Sequence, residues 1–219
     1  NDPVMVSCAK RVKEANPDIV TIGGGHIFTH EPEWSLKECP SLDYVIRFEA
    51  ERALEHFLRS AREGASEEDM QSLCWLGEDG AMQATRLGPA VQDLDEVPPA
   101  AFDLVPMDKY SPFGLLWPKA ATIQRARGCV DTCSFCSWIA MENRFETDEK
   151  GSIASSPWFR SKSVAKTLEE VDILYNVHGV RYLFWVDATW NVDDNWLREF
   201  CEGIIDRRYR LGWWAFTRY

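Results

Sequence analysis

The chain alternates segments of helical periodicity with short segments typical of β-strands, and this alternation constrains its fold more than any other feature. In the amino-terminal part, apolar side chains recur at helical spacing and are separated by β-branched runs. These segments cover residues 4–15, 18–22, 33–39, 44–48 and 51–62. Strands that alternate with helices predict a parallel, doubly wound α/β sheet.

Three consecutive glycines lie at the carboxyl end of the first predicted strand. This glycine turn consists of Gly23, Gly24 and Gly25. Ligands of a doubly wound sheet bind beyond the carboxyl ends of its strands, and glycine lets the backbone approach a ligand closely. The pattern leaves two interpretations open, a ligand-binding turn and a turn that only connects two elements.

The carboxyl-terminal part repeats the alternation of strand and helix. Strand patterns at 121–126, 181–186 and 212–219 are separated by helical patterns at 163–177 and from Asp193 onward. We therefore predict that the chain is organised in three regions, which cover residues 1–65, 66–120 and 121–219.

The middle region, 66–120, has the composition of a connector. Residues 72–84 flank an Asp-Gly pair that predicts a hairpin, and the prolines of residues 94–99 exclude helix. Later in the chain, the charged residues of 141–151, Glu142 among them, predict a solvated surface loop.

Three cysteines, Cys129, Cys133 and Cys136, directly follow the strand at 121–126. The segment from 129 to 136, here called the cysteine loop, offers three thiolates and no fourth. A structural zinc site closes a tetrahedron with four ligands. A [4Fe–4S] cluster is commonly held by four thiolates, so three would leave one iron open to a non-protein ligand. The spacing therefore indicates chemistry at an open iron, and a loop with Gly128 and Asp131 is a poor place for three core thiols.

Composition excludes several classes of protein. The 219 residues contain no run of about 18 apolar residues that could span a membrane. Seven cysteines, an odd number, do not fit a secreted disulfide framework and suit a reducing cytoplasm. A net charge of −11 argues against broad nucleic-acid binding. We expect a cytoplasmic protein with neither a membrane span nor a nucleic-acid partner.

The cysteine loop, with Phe135 just before its last cysteine, resembles the signature of the radical S-adenosylmethionine (radical SAM) superfamily. The glycine turn and residues 43–51 resemble the back half of a cobalamin-binding domain that is fused to such enzymes. In that family a Gly-Glu-Gly-Glu turn commonly follows the next strand, and here Phe48 and Ala50 replace its glycines. Over nearly its full length, the chain is similar to cobalamin-dependent radical SAM proteins of the class that includes the anaerobic magnesium-protoporphyrin IX monomethyl ester oxidative cyclase.

The resemblance implies a specific architecture. Residues 1–65 would form the back half of a Rossmann-like cobalamin-binding domain, and residues 121–219 the first half of a radical SAM partial (β/α)6 barrel. The front half of the cobalamin domain, which would supply any lower cobalt ligand, is not in this sequence. We therefore expect the chain to be an internal fragment of a larger enzyme.

The resemblance also implies roles for individual residues near S-adenosylmethionine (SAM). The three cysteines would hold a [4Fe–4S] cluster whose open iron chelates SAM. Phe135 would pack near the adenine, Asp187 would hold the SAM amino group, and Arg218 would meet the SAM carboxylate or the substrate. The sequence also allows Asp187 to be a helix N-cap and Arg218 to be a solvated surface residue. By the rule for barrels, the cysteine loop, 187–191 and Arg218 should face one chamber.

For cobalamin, the resemblance implies that the glycine turn lies beside the nucleotide tail, together with Glu49. The reaction it implies begins with an electron from a reductant such as flavodoxin or ferredoxin. SAM would then be cleaved to methionine and a 5′-deoxyadenosyl radical, which abstracts hydrogen from an unactivated carbon of a small-molecule substrate, such as a tetrapyrrole. Cobalamin would transfer a methyl group to that carbon or assist an oxidative ring closure.

Two other classes of function remain open from the sequence. A non-catalytic iron–sulfur or zinc protein would need a fourth ligand near the loop, for which His178 and Cys201 are the downstream candidates. A cobalamin-binding sensor module would need no cysteine loop.

Overall fold

The computed structural model describes residues 3–64, 66, 69–109, 119–136, 138–142, 144–147 and 153–218. The chain divides into two compact units, Asn1–Val91 and Gln92–Tyr219. The residues predicted as a connector, 66–120, are thus shared between the two units. Within the described ranges, no helix combines the length and the apolar character that crossing a membrane requires.

The first unit is a four-stranded sheet with helices. Its elements are α1 (Pro3–Ala15), β1 (Ile22–Gly23), α2 (His26–His30), α3 (Pro32–Glu38), β2 (Tyr44–Ile46), α4 (Glu51–Glu63), β3 (Leu73–Leu76) and β4 (Met82–Ala84). The strand order is β1-β2-β3-β4. The predicted helices at 4–15, 33–39 and 51–62 and the hairpin at 72–84 are confirmed, whereas α2 was not predicted.

The sheet of the first unit is mixed rather than wholly parallel. β1 and β2 pair in parallel, with Ile22 opposite Tyr44. β3 pairs antiparallel with both β2 and β4. The parallel arrangement therefore holds only for β1 and β2, and β4 follows β3 through a hairpin turn.

Helix α4 packs on this sheet through one apolar face. Ala53 and Phe57 are buried against Ile46 and Leu73. The ring of Phe57 meets Tyr44 edge-on at 5.3 Å between centroids. Burying a phenylalanine side chain contributes about 2–3 kcal/mol, so this contact fixes the helix that follows the end of β2.

The second unit is built on a parallel sheet. Three short 3₁₀ turns, Leu94–Glu96, Phe102–Leu104 and Met107–Lys109, precede it. Its elements are β5 (Ala120–Ile123), β6 (Ala126–Arg127), α5 (Ile139–Glu142), β7 (Arg144–Thr147), β8 (Ile153–Ser156), β9 (Arg160–Ser161), α6 (Val164–Asp172) with a π-helical turn (Ile173–Val177), β10 (Tyr182–Trp185), α7 (Asp194–Asp206) and β11 (Gly212–Trp214). β10 lies between β5 and β11 and is parallel to both. β6 pairs with β9 and β7 pairs with β8, both antiparallel.

The central strand β10 carries the core of this unit. Leu183 and Trp185 are fully buried and belong to one apolar cluster with Val171 of α6 and Phe200 of α7. Trp196 stacks on Phe200 at 5.1 Å. Both helices are thereby fixed on one face of the sheet, so the chain that leaves the carboxyl end of β10 starts from a rigid position.

Candidate functional site

The carboxyl ends of β5, β10 and β11 lie at the same edge of the parallel sheet. β5 leads to the cysteine loop, β10 leads to Asp187 and Thr189, and β11 leads to Arg218. Parallel α/β sheets bind their ligands at this edge. The structure brings these segments together: the Sγ of Cys129 lies 3.5 Å from the Oγ1 of Thr189, and Arg218 forms an ion pair with Asp131 of the loop.

The cysteine loop leaves β6 at Gly128. Gly128, at φ 78°, turns the chain out of β6 in a backbone conformation that favours glycine. The three cysteines are half-buried, reduced thiols. The amide of Cys136 donates a hydrogen bond of 3.0 Å to the carbonyl of Cys133, and Phe135 is 90% exposed.

The donor set of the loop suits a cluster better than it suits a closed metal site. Three accessible thiols from one loop match the thiolate ligation of iron–sulfur clusters. Among the described residues, no group of three or more His, Cys, Asp or Glu side chains is arranged to hold a metal ion as it stands. The thiols would have to turn toward one another to bind a cluster. The fit therefore rests on the chemistry and the accessibility of the donors.

Asp187 lies beneath the loop rather than on its surface. The side chain is 1% exposed, and its Oδ1 accepts hydrogen bonds from the amides of Arg125, at 3.0 Å, and Ala126. The helix that follows is capped by Asp193, whose Oδ1 accepts from the amides at the start of α7, so the helix-cap interpretation of Asp187 is wrong. Burial raises the pKa of Asp187 to about 7, against the lowering effect of the Ala126 amide and the Arg125 guanidinium.

Arg125 is a second buried charge in the same place. It is fully buried, its Nη2 donates to the carbonyl of Trp190, and its guanidinium lies 4.1 Å from the ring centroid of Trp196. Burial lowers the pKa of Arg125, and the nearby carboxylates of Asp187 and Asp193 raise it. Within the described part of the chain, Nε and Nη1 of Arg125 and Oδ2 of Asp187 have no hydrogen-bond partner.

Glu142 supports the loop from the other side, which the sequence did not indicate. Its Oε2 accepts a hydrogen bond of 3.0 Å from the amide of Gly128, and its Oε1 accepts one of 3.1 Å from Nε2 of Gln124. Its carbonyl accepts from Nη2 of Arg160, which is buried. The prediction of a solvated surface loop is therefore wrong for Glu142. Residues 144–147 of that segment form β7, and residues 143 and 148–151 lie outside the described residues.

Arg218 contacts the loop while more than half of its side chain stays exposed to solvent. Its side chain, 52% exposed, pairs with Asp131, which is 34% exposed. The amide of Arg218 donates to Oδ1 of Asn191 at 2.7 Å, and the Nδ2 of Asn191 donates back to the carbonyl of Arg218. This pair of bonds joins the segment after β10 to the segment after β11. The structure thus gathers the loop, Asp187 and Arg218 at one edge.

In the first unit, the fold constrains two of the three glycines of the glycine turn, Gly23 and Gly25, and not Gly24. A Cβ on Gly23 would lie 3.0 Å from the ring of Phe28, so packing requires glycine there. Gly25 has φ 100°, a conformation that other residues rarely adopt. A Cβ on Gly24 would meet only the Ile46 carbonyl, at an ordinary 3.7 Å. Neither packing nor conformation explains Gly24, which is exposed, and close approach of a ligand would explain it.

The turn after β2 keeps a glycine-like backbone at Phe48. This residue has φ 62°, in the left-handed region that favours glycine, and its amide donates to Oγ1 of Thr29 at 2.9 Å. The Oε2 of Glu49 accepts from the amide of Val91 at 3.2 Å. Glu49, predicted to contact cobalamin, therefore already has a partner within the protein.

Comparison with known proteins gives relatives along nearly the whole chain. No family model matches. The chain is 27% identical over 214 residues to an uncharacterised methyltransferase of Pyrococcus horikoshii, which covers 96% of this chain and 42% of the relative. It is 29% identical over 217 residues to the anaerobic magnesium-protoporphyrin IX monomethyl ester cyclase of Rubrivivax gelatinosus, which covers 94% of this chain and 35% of the relative. The chain thus spans less than half the length of these curated relatives.

Solved structures share the fold. The cobalamin-dependent S-adenosylmethionine radical enzyme OxsB, solved with aqua-cobalamin and S-adenosylmethionine bound, matches 94% of this chain and 27% of its own, with a TM-score of 0.67 at 18% identity. The radical S-adenosylmethionine methyltransferase TsrM of Kitasatospora setae, solved with cobalamin and a [4Fe-4S] cluster bound, matches 98% of this chain and 40% of its own, with a TM-score of 0.64 at 17% identity. The predicted resemblance and the fold class are confirmed.

Proposed function

We propose that this chain is the cluster-binding part, with a portion of the cobalamin-binding part, of a cobalamin-dependent radical SAM enzyme. The observation that carries the proposal is the cysteine loop, because it places three accessible thiols at the carboxyl edge of a parallel sheet. The fold is shared with enzymes that were solved with cobalamin and a [4Fe-4S] cluster or SAM. When bound, the cluster supplies the electron that cleaves SAM to methionine and a 5′-deoxyadenosyl radical.

The residues of the chain would bind and orient these groups. Cys129, Cys133 and Cys136 would hold the three closed irons as thiolates. Phe135 offers a ring that is 90% exposed, onto which the adenine of SAM can pack. Arg218 can exchange its exposed ion pair with Asp131 for the SAM carboxylate, since both partners are accessible. The contact of Asp187 with the SAM amino group stays a prediction, because the side chain is 1% exposed.

Cobalamin would lie against the first unit at the glycine turn. Gly24 is exposed, and nothing in the fold requires a glycine at this position, so it is the place where a nucleotide tail can approach the backbone. We also propose that Glu49 contacts cobalamin at this site. The substrate is a small molecule, and a tetrapyrrole suits the named cyclase relatives. The reaction would be methyl transfer or oxidative ring closure, supported by a reductant such as flavodoxin or ferredoxin in the cytoplasm.

The test is anaerobic reconstitution of the intact protein with iron and sulfide. We expect the EPR spectrum of the reduced cluster to change when SAM is added. We expect the formation of 5′-deoxyadenosine to be abolished when any one of the three cysteines is replaced by alanine. Cys201→Ala is the matched control, since Cys201 is half-buried on α7 and packs against the apolar core. Formation of 5′-deoxyadenosine in all three loop variants would contradict the assignment of these cysteines as cluster ligands. An EPR spectrum that does not change when SAM is added would contradict the proposal and favour a non-catalytic cluster.

A further inference from the structure

We infer that Asp187 and Glu142 are positioning residues, which hold the backbone of residues 125–128 in the conformation from which the cysteine loop departs. The inference rests on the proposed function only in naming a cluster as the group that the loop holds. Neither residue needs to touch that group.

The amides of this short segment are directed at the two carboxylates. The amides of Arg125 and Ala126 donate to Oδ1 of Asp187, and the amide of Gly128 donates to Oε2 of Glu142 at 3.0 Å. A carboxyl oxygen accepts a hydrogen bond from an amide in either protonation state, and the bond is about twice as strong when the group is ionised. The chain is therefore fixed immediately before Cys129.

The parallel sheet of β5, β10 and β11 does not extend to residues 125–128. β5 ends at Ile123, and β6 is only two residues long and pairs with β9. The carbonyl of Arg125 accepts from the amide of Lys162 at 2.8 Å, next to that short pair. Asp187 accepts from the amides of Arg125 and Ala126 at the start of that pair, and Glu142 accepts from the amide of Gly128 just after it. Without them, buried amides would lose their acceptors, which is costly.

The burial of Asp187 means that it can hold the backbone without contacting a bound molecule. Its Oδ1 accepts from two backbone amides, and the whole side chain is 1% exposed, so this contact with the backbone does not depend on whether a ligand reaches Oδ2. Glu142 is half-buried, and each of its carboxylate oxygens has a partner, Gly128 on one side and Gln124 on the other. Both carboxylates therefore act on the thiols through the backbone.

The test compares backbone protection and cluster loading in the intact protein. Asp187→Ala and Glu142→Ala remove the acceptors, whereas Asp187→Asn and Glu142→Gln retain an acceptor oxygen. Glu199→Ala, which removes an exposed carboxylate from α7, is the matched control. Hydrogen–deuterium exchange of the cluster-free protein is followed in peptides that span 124–129 and, for comparison, α7.

We expect exchange in 124–129 to rise about tenfold in the alanine variants, since leaving a buried amide without its acceptor costs about the free energy equivalent to a factor of ten. Exchange in α7 should not change. Iron bound per folded chain after reconstitution should fall well below that of Glu199→Ala, and the Asn and Gln variants should recover much of it.

Unchanged exchange at 124–129 in Glu142→Ala would overturn the inference for Glu142, whether or not the protein binds iron. Loss of protection throughout the second unit, with no recovery in Asp187→Asn, would make Asp187 a general core residue and overturn its positioning role. If the alanine variants raise exchange as expected but the wild-type protein takes up no iron, the result would count against the proposed function alone.

Discussion

Replacement of Asp187 by asparagine should abolish a specific dependence of stability on pH. Burial raises the pKa of Asp187 to about 7, whereas the ordinary value for the carboxyl group is 3.8. The folded protein therefore binds more protons than the unfolded chain between about pH 4 and pH 7. The free energy of unfolding should fall as the pH rises through this window, because the folded state must then bury a charge.

The size of the effect follows from the same two values. At about 1.4 kcal/mol per pKa unit, a rise from 3.8 to about 7 corresponds to at most about 4 kcal/mol. The charges that face Asp187 act in opposite directions, since Arg125 favours the ionised form and Glu142 disfavours it. Asparagine keeps an oxygen for the amides of Arg125 and Ala126 but cannot ionise.

The assay is urea denaturation of the cluster-free protein at several values of pH from 5 to 8. We expect Asp187→Asn to gain stability relative to wild type as the pH rises, by up to a few kcal/mol over this range. Glu199→Gln, an exposed carboxylate of α7, should show no such trend. A difference between Asp187→Asn and wild type that stays constant from pH 5 to pH 8 would refute the reasoning. It would mean that Asp187 is ionised throughout, held so by Arg125.

Two further predictions concern other parts of the chain. Gly24→Val should lower the cobalamin content of the purified protein with little change in thermal stability, because a Cβ there meets only the Ile46 carbonyl at 3.7 Å; unchanged cobalamin content would mean that the glycine turn is only a turn. Lys162→Met should lower the free energy of unfolding in urea by about 3–5 kcal/mol, since it leaves Glu170, whose side chain is 5% exposed, without its 2.6 Å ion pair. The double variant Lys162→Met/Glu170→Gln should recover much of that loss, and a single variant as stable as wild type would contradict the account.

Local patterns in the sequence determined several of the helices, the β3–β4 hairpin and the position of the cysteine loop. Helices such as α4 and α7 follow from an apolar face repeated over thirteen residues each, and the hairpin of β3 and β4 follows from its Asp-Gly turn. The loop after β5 follows from cysteine spacing next to a strand pattern. Each of these signals lies within a short stretch of chain, so hydrophobic periodicity and turn residues are enough to predict the element.

Tertiary structure alone decided what supports the loop. The amide of Arg125 reaches a carboxylate 62 residues away, and Glu142 was expected in solvent because its neighbours in sequence are charged. The pairing of Arg218 with Asp131 likewise joins the end of β11 to the loop. Burial and hydrogen-bond partners of a polar side chain depend on which strands lie side by side. The sequence therefore determined that three thiols share one loop, and the fold decided which carboxylates hold that loop in place, because those partners are distant along the chain.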